Sequence, residues 1–207
     1  MLEPVGYDDL AMTGSLIKIA GADLATTLTR ATLPPEAQAP LADCAEIGNA
    51  LDRLEAAGFA PEAVRVLAHA LPKREAVWWA CMCAASTAPR ILSDSDRLAR
   101  ETAELWVRQQ SDTLRRAAMA HAEAGGCMTA EAWTGIAAFW SGDSIAPLGQ
   151  RAMPPLPEQT GTAVAAAVTL ASVRGDGTRC AERLKRFLDS GRDIASGGHG
   201  RMQPEVN

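Results

Sequence analysis

The chain has 207 residues, of which 47% are hydrophobic and 22% are charged, and its formal net charge is −5. This composition is typical of a globular protein with enough apolar residues for one domain or two small ones. The acidic balance argues against nucleic acid as the main partner, because phosphate binding needs a basic face.

Residues 1–33 show little periodicity, and we expect a partly ordered N-terminal segment. Their longest apolar stretch, at residues 15–21, is interrupted by Lys18 and is too short for a signal peptide or a membrane span. A weak β pattern lies at residues 15–20. The five cysteines lack regular spacing, which favours a reducing compartment over a disulfide framework. We therefore expect a cytoplasmic protein without a membrane partner.

Helix periodicity dominates from residue 34 on. One helix is predicted over residues 40–57, ending before Gly58, because apolar side chains recur on one stripe: Leu41, Cys44, Ile47, Leu51 and Leu54. Pro61 at a first helical position predicts the next helix, which Pro72 ends. Short connections of this kind make neighbouring helices antiparallel.

The run KREAVWWACMCAAS, residues 73–86, is almost uncharged after its first turn. Each residue of an α-helix turns by about 100°, so Cys81 and Cys83 lie about 200° apart around the axis and cannot share a metal ion. Trp78 and Trp79 likewise point to different neighbours. A helix that is apolar on all sides is a buried one, and we expect a core helix with both indoles largely buried.

Capping signals mark the helices of the second half. Ser93 and Asp96 have the spacing of a capping box, and the helix that they open is predicted to bury Leu98, Leu105 and Trp106. Ser111 or Asp112 is the predicted N-cap of the next helix, which stops at residues 125–126. An amphipathic stripe then follows at Trp133, Ile136, Ala137 and Trp140. Residues 161–175 and 178–191 supply two more helices.

These elements predict an all-α protein. Antiparallel helical hairpins are expected to pack as a compact bundle or as a short α-solenoid-like array, although no repeat of fixed length is present. The helices would form a single domain over residues 34–195. The Gly-rich polar residues 196–207 are predicted to be a disordered tail.

A long connection rich in proline and glycine, GDSIAPLGQRAMPPLPEQ at residues 142–159, interrupts the helices, and we call it the strap. Irregular connections of this length are uncommon in compact domains and often carry function. Its PPLP sequence suits either a ligand of a proline-recognising domain or an extended crossing over helix ends. We predict Arg151, Met153 and Leu156 as protein-binding residues; alternatively, Met153 and Leu156 attach the strap to the helices.

Catalytic and metal-binding patterns are not recognisable in the sequence, and we predict no cofactor and no metal site. His69, His121 and His199 are scattered. A nucleophilic pair would need a tertiary contact, for example of Cys81 or Cys127 with His121, and the neighbouring residues are apolar rather than electropositive. The basic clusters at residues 114–116 and 183–186 are interpreted as solvated helix faces.

Four stretches resemble an uncharacterised family of bacterial all-helical proteins with a Trp-Trp-Ala-Cys core. They are AVRVLAHALPKREAVWWACMCA, LRRAAMAHAEAGG, WTGIAAFWSGDSIAP and RFLDSGRDIASG, and the resemblance runs from about residue 34 to residue 197. The block around Trp78 and Trp79 is specific, whereas the Ala-rich helices are not. The resemblance implies an accessory protein, encoded in some members near type VI secretion components such as spike-tip proteins, and it carries over no catalytic residue.

Three functions remain open at this point. The first is a non-enzymatic adaptor or chaperone that binds another protein, such as a secretion effector or a spike component. The second is an enzyme with an unrecognised Cys/His site, which a cleft lined by polar residues with shifted pKa values would favour. The third is an immunity-type or structural protein that covers its partner. We expect the first, with the strap as part of the contact surface.

Overall fold

The computed structural model describes residues 15–205, and over these residues the protein is all-helical, without a strand. The α-helices, in chain order, are α1 Leu24–Ala31, α2 Pro35–Gln38, α3 Ile47–Ala56, α4 Ala60–Ala70, α5 Lys73–Ser86, α6 Asp94–Gln109, α7 Asp112–Ala124, α8 Ala130–Trp140, α9 Gln159–Ser172 and α10 Cys180–Ala195. Two short 3-10 turns lie at Ala39–Leu41 and Gly177–Arg179. The predicted fold class is therefore confirmed.

Helix α8 lies in the middle of the bundle and packs against α5, α6, α7 and α9. Most of its side chains are buried, and small residues let its neighbours come close. A Cβ atom at Gly135 would lie 2.6 Å from the carbonyl oxygen of Ala118 in α7, so only glycine fits there. The structure is thus a compact bundle in which consecutive helices from α6 to α9 pack on one another.

The predicted caps of α6 and α7 are confirmed. The Ser93 hydroxyl accepts a hydrogen bond from the Asp96 amide (3.1 Å), and the Ser111 hydroxyl accepts one from the Leu114 amide (3.1 Å). Asp96 also accepts a hydrogen bond from the Thr129 hydroxyl at the start of α8 (2.6 Å), which ties the two helix starts together. Gly58 takes a positive φ of 82° directly after α3, as a glycine at a helix end does.

Three local predictions differ from the structure. The helix predicted over residues 40–57 begins only at Ile47, because Glu46 before it is extended (φ −128°, ψ 149°). Leu105, predicted to be buried, is 42% exposed. Residues 17–21 form turns rather than a strand, and α1 lies within the segment expected to be only partly ordered, whose first 14 residues are outside the described range.

The run at residues 73–86 is α5, and the prediction of a core helix is confirmed. Cys81 and Cys83 are both fully buried. Trp79 is fully buried too, and its indole N–H donates to the carbonyl oxygen of Phe187 in α10 (2.8 Å). Trp78 is only half-buried, and its indole N–H donates to the carbonyl oxygen of His199 (2.8 Å).

Residues 196–205, for which the composition predicts disorder, pack along α5 and α10 instead. We call them the C-terminal segment. The side chain of Glu205 is 2% exposed and forms ion pairs with three arginines around α10, Arg179, Arg183 and Arg186. These long-range contacts order a stretch that has no helix of its own. Among the described residues, no helix is both long and apolar enough to cross a membrane.

Candidate functional site

The strap runs without helical structure from the end of α8 to the start of α9. Its middle is a closed loop, because the Ile145 amide donates to the carbonyl oxygen of Met153 (2.8 Å). The hydroxyl of Ser144 closes the same base, accepting hydrogen bonds from the amides of Met153 (3.0 Å) and Ala146 (3.2 Å). Residues 147–152 therefore project as a tip from a base with a fixed backbone.

Two arginines of α7 hold the base of this loop. Arg115 donates to the carbonyl oxygens of Phe139 (3.1 Å) and Ser144 (2.6 Å), and Arg116 donates to that of Ala146 (2.9 Å). Both guanidinium groups also lie over the Phe139 ring, 5.2 and 5.9 Å from its centroid. We call these two residues the arginine clamp. Because Arg115 is only 4% exposed, the interpretation of residues 114–116 as a solvated face is wrong for that residue.

Asp112 offsets part of the charge of the clamp. Its carboxylate pairs with both Arg115 and Arg116, the latter at 2.7 Å. The hydrogen bond from Arg116 holds the pKa of this carboxyl below its usual range, and the nearby charge of Arg115 acts in the same direction. At Gly142 the strap backbone passes so close to Arg115 that a Cβ atom would overlap the guanidinium group. The start of the strap is therefore packed against a charged group, which fixes its path.

The three predicted binding residues are all exposed on the strap. Met153 is 58% exposed and Leu156 is 59% exposed, so more than half of each residue's surface is open to solvent. Arg151 is exposed and has no hydrogen bond or ion pair within the described chain. The structure adds Leu148, 76% exposed at the tip, which the sequence reasoning did not single out. The only local indication in the sequence that Leu148 is exposed was its position next to Gly149.

A nucleophilic pair would need Cys81 or Cys127 to contact His121, and the sequence argued against either contact. Cys81 is fully buried, and burial raises the pKa of its thiol. Cys127 shares a cavity of about 660 Å³ with His69, whereas His121 does not line that cavity. The Cys127 thiol donates to the carbonyl oxygen of Ala122 (3.4 Å).

His69 is held neutral in this cavity. Burial lowers its pKa to about 4, and the positive charges of Arg30 and Arg65 act in the same direction, while Glu158 opposes them. Its ring packs directly on the backbone of α9, where a Cβ atom at Gly161 would overlap it. Within residues 15–205, no group of three or more His, Cys, Asp or Glu side chains is placed to hold a metal ion.

Comparison with known proteins gives one match. The sequence model of a family described as a family of unknown function, DUF6931, matches residues 50–195. This range begins inside α3 and ends with α10, so it includes the strap and the arginine clamp and leaves out the C-terminal segment. No curated protein and no solved structure matches the chain.

Proposed function

The chain belongs to the DUF6931 family, and from that premise we propose that it is a non-enzymatic adaptor or chaperone that binds a partner protein through its strap. The observation that carries the proposal is the exposure of Leu148, Arg151, Met153 and Leu156 on the strap, whose middle loop has a base fixed by hydrogen bonds. Three of the eight large hydrophobic side chains that are exposed in the described residues belong to the strap.

A loop of this kind is suited to recognition for a physical reason. Binding costs conformational entropy when it orders a mobile segment, and a backbone that is already fixed avoids that cost. The hydrogen bond that the Ser144 hydroxyl accepts from the Met153 amide, and those that the Ile145 amide and Arg115 donate, fix this backbone before any partner arrives. Met and Arg are enriched at protein interfaces, so exposed Met153 near the unpaired Arg151 supplies two residue types that suit recognition.

The partner that we propose is a protein of a type VI secretion system, an effector or a spike component. This part of the proposal rests on the resemblance of the Trp-Trp-Ala-Cys core around Trp78 to bacterial accessory proteins of such systems. We place the contact in the cytoplasm, since all five cysteines are free thiols, as a reducing compartment keeps them. An immunity-type role would use the same surface and differ only in blocking the activity of the partner.

The experiment begins with the full-length chain, tagged and purified from its native host, and with mass spectrometry of the proteins that accompany it. The affinity of the purified pair is then measured for the double variant R151E/L156E. The matched control is R90E/I91E, which makes the same charge change and places a Glu at an aliphatic position that is 92% exposed in the loop between α5 and α6.

We expect R151E/L156E to bind at least tenfold more weakly than the unchanged chain, and R90E/I91E to bind like it. Circular dichroism of all three proteins controls for folding. Unchanged affinity of R151E/L156E with an intact fold rejects the strap as the interface. Catalytic turnover of any substrate by the purified chain rejects the adaptor role itself.

A further inference from the structure

The second half of the strap contains the sequence RAMPPLP at residues 151–157. Residues 151–156 form no helix, turn or bend, and their peptide bonds are all trans. Proline fixes φ at about −65°, and a residue that precedes proline is restricted to extended backbone. Met153, Pro154 and Leu156 each precede a proline. This combination is typical of a polyproline II helix, which has three residues per turn and no internal hydrogen bonds.

A helix with three residues per turn has three edges, and two edges of this stretch are open to solvent. Arg151, Pro154 and Pro157 are three positions apart, so they share one edge, and all three are exposed. This edge spans two turns, or about 19 Å. Met153 and Leu156 share the second edge and are 58% and 59% exposed.

The third edge lies toward the helices. Pro155 is the only half-buried residue within 151–157, and the others are exposed. Ala152, three positions earlier, lines a cavity of about 450 Å³ together with the arginine clamp. The protein therefore supports the stretch along one edge and presents the other two, so a partner can contact them without displacing the stretch from its own chain.

The backbone of the stretch is held at both ends and leaves acceptors in the middle. The Leu156 amide donates to the side-chain oxygen of Gln159 (2.7 Å), and the Met153 amide is bound at the base of the loop (3.0 Å). The carbonyl oxygens of Pro154 and Pro155 accept no hydrogen bond from residues 15–205 and are left for donors of a partner. Because the extended form exists before binding, little conformational entropy is lost in the complex.

This arrangement fits one known class of recognition. Proline-rich segments with prolines three positions apart bind grooves that are lined by aromatic side chains. Pro154 and Pro157 have that spacing, and each follows an exposed apolar side chain, Met153 or Leu156. Arg151 lies one turn before Pro154 and has no ion pair within the described chain, so its guanidinium group is available to a carboxylate at the end of such a groove.

We propose that residues 151–157 are a preformed polyproline II ligand for a partner domain with an aromatic groove. The groove takes the two apolar residue–proline pairs, and a carboxylate of the partner binds Arg151. This inference rests on the proposed function, since it states the chemistry of the partner that the strap binds. It adds a period of three, because positions on the open edges should matter for binding and positions on the supported edge should not.

The experiment uses the full chain and a defined probe, a purified, isotope-labelled SH3 domain that binds ligands of the form Arg-x-x-Pro-x-x-Pro. Binding is followed by nuclear magnetic resonance of the domain. P154A and P157A each remove a proline ring from an open edge, and R151Q removes the charge. P155A is the matched control, because it makes the same change on the supported edge. The same four variants are then measured against the partner obtained by co-purification.

We expect the unchanged chain to bind the SH3 domain saturably, with the changes in chemical shift confined to its aromatic groove. P154A, P157A and R151Q should each bind roughly tenfold more weakly, and P155A should bind within about twofold of the unchanged chain. The co-purified partner should rank the variants in the same order. Circular dichroism of each variant controls for folding.

Two results overturn the inference. One is the absence of SH3 binding by the unchanged chain, and the other is an equal effect of P154A, P155A and P157A on binding. Failure of the proposed function has a different result. If R151E/L156E weakens binding of the co-purified partner and P154A and P157A do not, the strap is the interface but not a polyproline II ligand. If R151E/L156E leaves that binding unchanged, the proposed function itself fails.

Discussion

Glu131, which is wholly buried in α8, forms a two-point ion pair with Arg174 directly after α9, at 3.0 and 2.5 Å. The same guanidinium group donates to the carbonyl oxygens of Ala84 (3.3 Å) and Thr87 (3.1 Å) at the end of α5. The pair thus joins the ends of three helices through one charged group.

Loss of Arg174 alone should destabilise the folded state, because it leaves the Glu131 carboxylate buried without its partner. We expect R174M to lower the free energy of unfolding by about 3–5 kcal/mol, measured by urea denaturation. The double variant E131M/R174M removes both charges and should be less destabilised than R174M. A double variant that is as unstable as the sum of the two single variants would show that the two charges do not interact.

The two adjacent tryptophans of α5 should differ in their contribution to stability. Trp79 is fully buried and bonded to the Phe187 carbonyl, so W79A should cost about 3–5 kcal/mol of unfolding free energy. Trp78 is half-buried, and W78A should cost less, about 1–2 kcal/mol, because it removes less apolar area from contact. Equal losses in chemical denaturation would contradict this difference in burial.

Protonation of His69 should make stability depend on pH. Its pKa is about 4 in the folded protein and 6.5 as the ordinary value, so the unfolded chain binds more protons between these values. Its contribution is fully present above pH 6.5 and is lost as the pH falls toward 4. We expect the unfolding free energy to fall between pH 6.5 and 5, and H69Q to reduce this slope. An unchanged slope in H69Q would exclude His69 as the source.

The arginine clamp should control the mobility of the strap. An alanine at position 142 would displace the Arg115 guanidinium group, at a cost of about 1–3 kcal/mol in unfolding free energy. We expect G142A to accelerate cleavage by trypsin after Arg151, followed by mass spectrometry of the fragments. The matched control is G177A, since that glycine has a negative φ and open space around it. Equal cleavage rates in G142A and the unchanged chain would show that the clamp does not restrain the loop.

Local signals in the sequence were sufficient for most helices and their caps, because a cap such as Ser93 acts within three residues. Local signals did not predict which face of a helix is buried where packing between helices decides it. In α6 the buried stripe follows Ala99, Ala103 and Trp106, since small residues allow close approach of α8, and Leu105 is left on the outside.

The remaining differences come from contacts between distant residues. The strap was evident from its prolines and glycines, whereas the clamp joins Arg115 to Ser144 across 29 positions. Order in the C-terminal segment comes from pairing of Glu205 with Arg183 and its neighbours, which a Gly-rich composition does not reveal. The spacing of Arg179, Arg183 and Arg186 along one helix face was the available signal.

The central position of α8 has a consequence for hydrogen exchange. Its amide protons are covered by four other helices, so they should exchange with deuterium only when the whole bundle unfolds. The C-terminal segment is held at one edge by side-chain contacts rather than by a helix, and its amides should exchange through local opening at a much lower free energy. The same chain therefore combines a slowly exchanging central helix with a C-terminal segment that opens and closes many times before the protein unfolds once.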